Sequence, residues 1–278
     1  MNANNSSIRF LYGTAPGRLV LKLLLKGHLD KPAVSFLRSG LSRPMIKNFA
    51  RKNDISLTPD EIRSFHTYRD FFLRDRDGIT LDMEPSHLIS PCDSWLSAFK
   101  IREDSSFTIK GSRYRLQDFI RCDDSEELIK RYEGGDCLVF RLCASDYHHY
   151  CYIDDCYVHS GHYIPGELHS VQPLCCETYP IYTLNRRNWC LMETTNFGPV
   201  IQTEVGAFIV GGIVNHHSDC KVTRGTEKGH FDLAGSTIVL LFEKDRIKLR
   251  SEITDALKAS PEVRVELGMH IGYSCHCK

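Results

Sequence analysis

The sequence predicts an α+β protein in which a helical N-terminal part, residues 1–75, is followed by a mainly antiparallel β domain, residues 76–278. Two observations carry this prediction. The first 75 residues hold a basic amphipathic segment and a helix-start signal, whereas the chain from Ile89 onward consists of short β-type runs separated by Gly, Asp and Ser. At 278 residues the chain is long enough to bury a full core.

Three helices are expected in the N-terminal part. Arg18, Lys22 and Lys26 are spaced four apart, so on a helix they form one basic stripe. A second helix is expected over Ser42–Lys52. The third begins at Thr58-Pro59-Asp60-Glu61, in which the threonine suits the N-cap, the proline the first helical position and the glutamate a capping box.

The N-terminal part is also strongly basic. Residues 1–52 carry ten Lys and Arg against the single acid Asp30, a local charge of +9 in a chain of zero net charge. Such a segment suits an anionic membrane interface, and it equally suits a helix packed on the main domain with a solvated basic stripe. Nucleic acid is disfavoured, because the region has few aromatic side chains to stack on bases.

The second part reads as a series of strands with one short helix. A strand-like character also returns in the last segment, Glu262–Ile271, and the glycines of the longest run indicate bends or bulges. Strands are predicted at Trp95–Ile101, Cys137–Leu142, Tyr179–Leu184, Trp189–Glu193, Val200–Val214 and Thr237–Glu243, and the helix at Asp123–Tyr132.

Composition is that of a globular protein, with 42% apolar and 25% charged residues. No apolar stretch is long enough to span a bilayer, and the N-terminus does not resemble a signal peptide. Twelve cysteines without a regular spacing indicate reduced thiols in a cytoplasmic protein. The Cys275-His276-Cys277 tail is too compact for an ordinary zinc site, and no metal site is expected.

Four clusters carry the candidate chemistry. The most informative is the Gly235-Ser236-Thr237 step before the apolar run Ile238–Phe242, because it places a hydroxyl directly after an unshielded glycine carbonyl. Read alone it is an ordinary turn. The other clusters are Ser90-Pro91-Cys92-Asp93-Ser94, Asp146-Tyr147-His148-His149-Tyr150-Cys151-Tyr152, and Phe197-Gly198-Pro199 with Val205-Gly206-Ala207 followed by His216-His217; Lys228-Gly229-His230-Phe231 leads into the glycine–serine step.

In their joint order and spacing these clusters resemble the phosphatidylserine decarboxylase family, in its shorter bacterial type. The resemblance runs from Gly17-Arg18 through Phe71-Phe72-Leu73-Arg74 to Phe242. It implies that the β domain is catalytic. It also implies a pyruvoyl-dependent conversion of phosphatidylserine to phosphatidylethanolamine and CO2.

The resemblance implies specific residue roles. Ser236 would attack the carbonyl of Gly235, and elimination and hydrolysis would leave a pyruvoyl cofactor at residue 236. That group would form a Schiff base with the substrate amine. His148, held by Asp93, would be the base for cleavage and the proton donor for decarboxylation. The expected product is a heterodimer of chains 1–235 and 236–278, itself dimeric and peripheral on the cytoplasmic side of the cell membrane.

One departure from the family pattern leaves the histidine roles open. Many members have a second histidine three positions after the first, and here that position is Cys151. His148 alone is favoured for both steps, with His149, His216 and His217 as alternatives. A soluble decarboxylase of a free amino acid and a non-processed binding homologue remain alternative functions.

Overall fold

A computed structural model gives the structure of most of the chain. Among the predicted site residues Gly235 lies outside the described residues, as do Val210 and Gly211 of the predicted run Val200–Val214. The described residues are 9–26, 30–76, 78–109, 112–121, 125–171, 175, 179–207, 212–233 and 236–276.

The N-terminal part is helical, as predicted. The capping box at Thr58 is formed: its side chain accepts from the backbone N–H of Glu61, and the glutamate side chain accepts from the backbone of Thr58. A second capping box, at Thr67, starts the next helix. The helices are α1 Ala15–Lys26, α2 Asp30–Leu37, α3 Pro44–Lys52, α4 Pro59–Ser64 and α5 Tyr68–Phe72, with a 3-10 turn at Gly40–Ser42.

The rest of the chain is mainly antiparallel β structure, so the predicted α+β class is confirmed. The later helices are α6 Leu116–Ile120, α7 Ser125–Arg131, α8 Ile181–Leu184 and α9 Ser251–Ala259. The strands are β1 His87–Ile89, β2 Ser94–Lys100, β3 Ser106–Ile109, β4 Ser112–Arg115, β5 Asp136–Leu142, β6 His149–Cys151, β7 Cys156–Val158, β8 His162–Ile164, β9 Arg187–Thr194, β10 Gly198–Val205, β11 Gly212–Asn215, β12 Cys220–Val222, β13 Glu227–Asp232, β14 Ser236–Phe242, β15 Ile247–Leu249, β16 Val263–Val265 and β17 His270–Ser274.

The largest sheet has nine strands, in the order β12-β7-β9-β10-β14-β5-β2-β16, with β8 also paired to β9. Strand β14 lies between β10 and β5, and all seven of its residues are buried. Its even-numbered apolar residues pack in one core and its odd-numbered ones in another, because side chains alternate across a strand. A smaller sheet, β11-β13-β6, carries His149 on β6 and His230 on β13.

One strand prediction is wrong. Tyr179–Leu184 contains the helix α8, which begins after Pro180 and buries Ile181 and Tyr182 in the second core. The apolar run has strand-like composition, but its packing against α6 determines the local structure. The long predicted run Val200–Val214 divides into β10 and β11, which belong to different sheets.

The N-terminal helices form a third apolar cluster of their own. Ile46 of α3 packs there with Tyr68, Phe71 and Phe72 of α5, and Leu233 from the β domain completes it. Among the described helices none has both the length and the apolarity needed to cross a bilayer. The boundary predicted near residue 75 stays a prediction.

Candidate active site

Two chain connections link strands that are paired with each other. One joins β5 to β6 and the other joins β13 to β14; β5 pairs with β14, and β6 with β13. Leu142 is therefore opposite Ser236 at one end, and the backbone N–H of Phe231 donates to the carbonyl of His148 at the other, at 3.1 Å. This topology places His148 on the β5–β6 connection and Ser236 at the start of β14, next to Leu142 at the other end of that connection.

Ser236 is the first residue of β14 and is fully buried. Its Oγ has no hydrogen-bond partner among the described residues. By alternation its side chain lies on the face that carries Ile238, Leu240 and Phe242. A buried hydroxyl without a partner costs about 1–3 kcal/mol, so it needs an explanation, and a catalytic role is one such explanation.

His148 has the protonation state that a base requires. Its Nδ1 lies 2.8 Å from the carbonyl oxygen of Asp146, which only accepts hydrogen bonds, so Nδ1 carries the proton. The lone pair is therefore on Nε2, which is buried and has no partner within the described structure. Burial lowers the pKa of His148 to about 3, and Arg74 and His149 add to that effect against the Asp146 hydrogen bond. The imidazole is neutral at physiological pH.

The N-terminal part covers His148. The ring of Phe72 in α5 lies 4.0 Å from the imidazole ring, centre to centre, with 32° between the planes. Just beyond α5, Arg74 donates to the carbonyl of Ser145 at 3.2 Å. These contacts exclude water from the imidazole, which explains the lowered pKa.

Asp93 is buried on the turn between β1 and β2. Its Oδ1 accepts from the backbone N–H of Leu267 at 2.8 Å, and its Oδ2 pairs with Arg76. Arg264 lies 4.0 Å from the same oxygen. Since Nδ1 of His148 donates to a backbone carbonyl and its Nε2 is unpaired, no direct hydrogen bond joins Asp93 to His148 in the described residues.

Asp146 connects Asp93 to His148, and the sequence analysis assigned Asp146 no role. Arg264 donates to its carboxylate at 3.0 Å while also facing Asp93. The backbone N–H of Cys143 donates to the second oxygen at 2.7 Å. Burial raises the pKa of Asp146, although both of these partners favour the charged form. The only sequence signal was its place in the Asp146-Tyr147-His148 motif.

The segment before the glycine–serine step is clamped by the N-terminal helices. The Asp232 carboxylate accepts from Arg69 at 2.8 Å and from Arg38 at 2.5 Å. Next to it, Leu233 is fully buried with a φ of 65°, in the left-handed region where a non-glycine residue costs about 1–2 kcal/mol. The ion pairs and the packing of Leu233 hold this conformation in place.

Comparisons of the sequence with known proteins indicate one family. The family profile described as phosphatidylserine decarboxylase matches residues 68–273. Phosphatidylserine decarboxylase proenzyme 2 of Clostridium acetobutylicum is 39% identical over 272 residues, covering 96% of this chain and 92% of that protein. The phosphatidylserine decarboxylase proenzymes of Clostridium perfringens (strain SM101) and Ruminiclostridium cellulolyticum are 35% and 34% identical, covering 96% and 97% of this chain and 92% of each relative.

The chain belongs to the phosphatidylserine decarboxylase family. The family predicted from the motifs is thus confirmed, and with it the class of enzyme, a carboxy-lyase. The matched residues include Asp93, His148 and Ser236. The roles given to these three residues stay predictions.

In this phosphatidylserine decarboxylase family member the side chains of the alternative histidines contact groups other than His148. His149 and His216 both contact Glu227 Oε1, each at 3.0 Å. His217 faces the ring of Tyr152, at 5.7 Å between centres. None of these contacts is to His148 or Ser236.

Cys151, at the position of the second family histidine, is fully enclosed next to the predicted site. Its backbone N–H donates to the carbonyl of Pro91 at 2.9 Å, two residues before Asp93. Burial raises the pKa of the Cys151 thiol to about 12, so at neutral pH it is protonated and is no substitute for a histidine base.

A buried ion pair underlies the Lys228-Gly229-His230-Phe231 motif of the family. Lys228 Nζ donates to Glu204 at 2.8 Å and to Asn215 at 3.0 Å. Gln202 and Asn215 donate to the two oxygens of the same carboxylate. The network connects β13 to β10, a contact that could not be predicted from the sequence.

Proposed function

We propose that this chain is the precursor of a pyruvoyl-dependent phosphatidylserine decarboxylase, which cleaves itself between Gly235 and Ser236 and converts phosphatidylserine to phosphatidylethanolamine and CO2. The observation that carries the proposal is a pair of buried groups without a hydrogen-bond partner among the described residues: His148 Nε2, just before β6, and Ser236 Oγ, at the start of β14. A hydroxyl nucleophile and a neutral imidazole are the two groups that the cleavage needs.

In the proposed cleavage, His148 Nε2 accepts the Oγ proton as Ser236 attacks the carbonyl carbon of Gly235. The peptide C–N bond breaks as the C–Oγ bond forms, so the amide becomes an ester and the amine of residue 236 is freed. Elimination then transfers the Cα proton of residue 236 to a base, breaks the bond between Oγ and Cβ, and releases the carboxylate of chain 1–235. Hydrolysis of the resulting enamine releases ammonia and leaves the ketone at residue 236.

The surroundings of residue 236 fit such a group. Its side chain lies in a buried environment on an all-buried strand, and the orphaned Oγ is the atom that processing removes. Once formed, the group supplies a carbonyl that condenses with the substrate amine and withdraws electrons as CO2 leaves. His148 then holds a proton for return to the substrate carbon, and Asp93 positions it indirectly through Arg264 and Asp146.

A membrane surface is the proposed source of the substrate. Exposed apolar side chains concentrate in the basic N-terminal part, where Leu19 is 62% exposed and Leu41 is 78% exposed. Arg18 and Lys22 flank an open groove of about 560 Å³ between α1 and the segment around Tyr179. Cations beside exposed apolar groups favour anionic headgroups, which supports peripheral binding on the cytoplasmic side of the cell membrane.

Processing and substrate are tested separately. On a denaturing gel the wild-type chain should give bands of about 27 and 5 kDa, in proportion to 235 and 43 of 278 residues and 31.8 kDa. The mass of the small chain should show a ketone at its N-terminus, and Ser236→Ala should stay uncut. An intact wild-type chain would refute the cleavage.

For the substrate, CO2 release is measured with phosphatidylserine–phosphatidylcholine vesicles and with free serine. Release from vesicles alone is expected. Release from free serine alone would favour the soluble amino-acid decarboxylase. Analytical ultracentrifugation of the cleaved protein tests the proposed dimer of large–small chain pairs.

A further inference from the structure

Three histidines and one glutamate converge on the β11-β13-β6 sheet. His149 of β6 pairs directly with His230 of β13, and Glu227 begins the same strand. Glu227 Oε1 lies 3.0 Å from His149 Nδ1, 3.0 Å from His216 Nε2 and 4.0 Å from His230 Nδ1. The ligand atoms of His149, Glu227 and His230 all lie within 4.8 Å of one another.

Each ring nitrogen of His149 faces an oxygen that accepts hydrogen bonds, and a neutral imidazole has only one N–H to donate. Its Nε2 is 3.3 Å from the carbonyl oxygen of Leu73, an acceptor, so Nε2 carries the proton. In the neutral ring the Nδ1 lone pair then faces the Glu227 carboxylate at 3.0 Å. Two acceptors at that distance repel each other unless a proton or a metal ion lies between them.

The surroundings of His230 favour a metal ion over a proton between His149 and Glu227. Its Nδ1 is buried and has no hydrogen-bond partner in the described residues, although Glu227 Oε1 is 4.0 Å away. A proton on His149 satisfies Glu227 but leaves His230 unpaired and places a positive charge beside it. A metal ion coordinated by His149, Glu227 and His230 satisfies all three groups at once.

The geometry is close to that of a zinc site. Zn²⁺ binds histidine nitrogen and carboxylate oxygen at about 2.0–2.2 Å, so tetrahedral ligand atoms lie roughly 3.4 Å apart. The separations of 3.0 and 4.0 Å to Glu227 Oε1 bracket that spacing. The Leu73 carbonyl fixes the orientation of His149, as outer partners of zinc-bound histidines commonly do.

We propose that His149, Glu227 and His230 bind a divalent transition-metal ion, preferentially Zn²⁺, with water or His216 in the fourth position. The site is accessible to an ion from solvent, because His149 and Glu227 line an open cavity of about 210 Å³ together with Tyr147. The site lies one residue beyond His148 and joins β6 to β13. It would therefore strengthen the strand pair that carries one end of the candidate active site.

A second cluster, Asp82, His87 and His270, meets the same distance limit but suits a metal less well. The His87 and His270 rings are stacked, 3.6 Å apart with 4° between their planes. An imidazole lone pair lies in the plane of its ring, so no point lies in the plane of both parallel rings. The planes of His149 and His230 are inclined by 36° and intersect.

The test measures metal binding by the full-length protein. The substitutions Cys275→Ser and Cys277→Ser are included so that the thiols of the C-terminal tail do not bind the added metal. After treatment with chelator, calorimetric titration with ZnCl2 should show one ion per chain. Co²⁺ should give the visible absorption of a tetrahedral nitrogen–oxygen site. Glu227→Gln and His230→Ala should each weaken Zn²⁺ binding by about tenfold or more.

His270→Ala is the matched control, and circular dichroism checks that each variant folds. The His270→Ala variant should leave the Zn²⁺ affinity and the Co²⁺ spectrum unchanged. The proposal is overturned if the parent protein binds no Zn²⁺, if two folded variants of Glu227 and His230 bind as tightly as the parent, or if His270→Ala alone abolishes binding.

Discussion

The buried imidazole of His148 should make the folded precursor sensitive to acid. Its pKa is about 3 when folded, against an ordinary value of 6.5 that applies to the unfolded chain. Below pH 6.5 His148 is protonated in the unfolded state but stays neutral in the folded state. The contribution to stability is therefore complete above pH 6.5 and is lost as the pH falls toward 3.

The two pKa values set the size of the effect. Between pH 7.5 and pH 5 the proton taken up by unfolded His148 lowers the free energy of unfolding by about 2 kcal/mol. Over the full interval down to pH 3 the loss approaches about 4–5 kcal/mol. This is a large share of the stability of an ordinary domain, so the effect is measurable.

The assay compares two uncleaved chains, Ser236→Ala and Ser236→Ala with His148→Asn. Asparagine keeps a donor near the position of Nδ1, facing the Asp146 carbonyl, but does not titrate. Urea unfolding at pH 7.5 and pH 5 should show that the chain with His148 loses about 2 kcal/mol more than its partner. Other buried histidines contribute equally to both chains. An equal loss in the two chains would refute the assignment of a buried, neutral His148.

Three further perturbations follow from the described contacts. Lys228→Met should destabilise the fold by about 3–5 kcal/mol, because it leaves the Glu204 carboxylate buried without its cation; urea unfolding measures this, and adding Glu204→Gln should recover part of the loss. Asp232→Asn should slow self-cleavage by up to about tenfold, since it weakens a clamp whose arginines are partly exposed; gels of timed samples follow the uncut chain. Leu19→Glu should weaken binding to anionic vesicles about tenfold or more, as measured by co-sedimentation, because it removes an exposed apolar contact and adds a negative charge.

Matched surface changes serve as controls for these three. Lys221→Met replaces an exposed lysine, Asp255→Asn an exposed aspartate, and Tyr163→Glu an apolar side chain that is 60% exposed in the β domain. Each should leave the corresponding measurement close to wild type. If a control has as large an effect as its test variant, the specific contact is not the cause.

Local sequence patterns predicted the elements around the site well. The apolar run after the Gly235-Ser236 step predicts a strand at Thr237–Glu243, and β14 spans Ser236–Phe242. The capping signal at Thr58 fixes the start of α4. Both depend on residues close in the chain, where backbone hydrogen bonds and side-chain alternation act.

Contacts between distant segments could not be predicted in this way. The clamp on Asp232 joins it to Arg38 and Arg69, which are 194 and 163 positions away. The cover of Phe72 over His148 is likewise a product of tertiary packing. The lowered pKa of His148 follows from that burial, so the sequence names the residue but not its protonation state.

The histidine–glutamate cluster shows most directly why the register of a sheet matters. Side chains alternate along a strand, so Glu227 and His230, three positions apart, should point to opposite faces. The pairing of β13 with β6 shifts between Glu227 and Gly229, and this irregularity changes the alternation. Glu227 and His230 therefore both face His149, while Lys228 is buried with Glu204. Because the shift arises only when the two strands pair, counting along the sequence would place the two ligands on opposite faces and miss the proposed metal site.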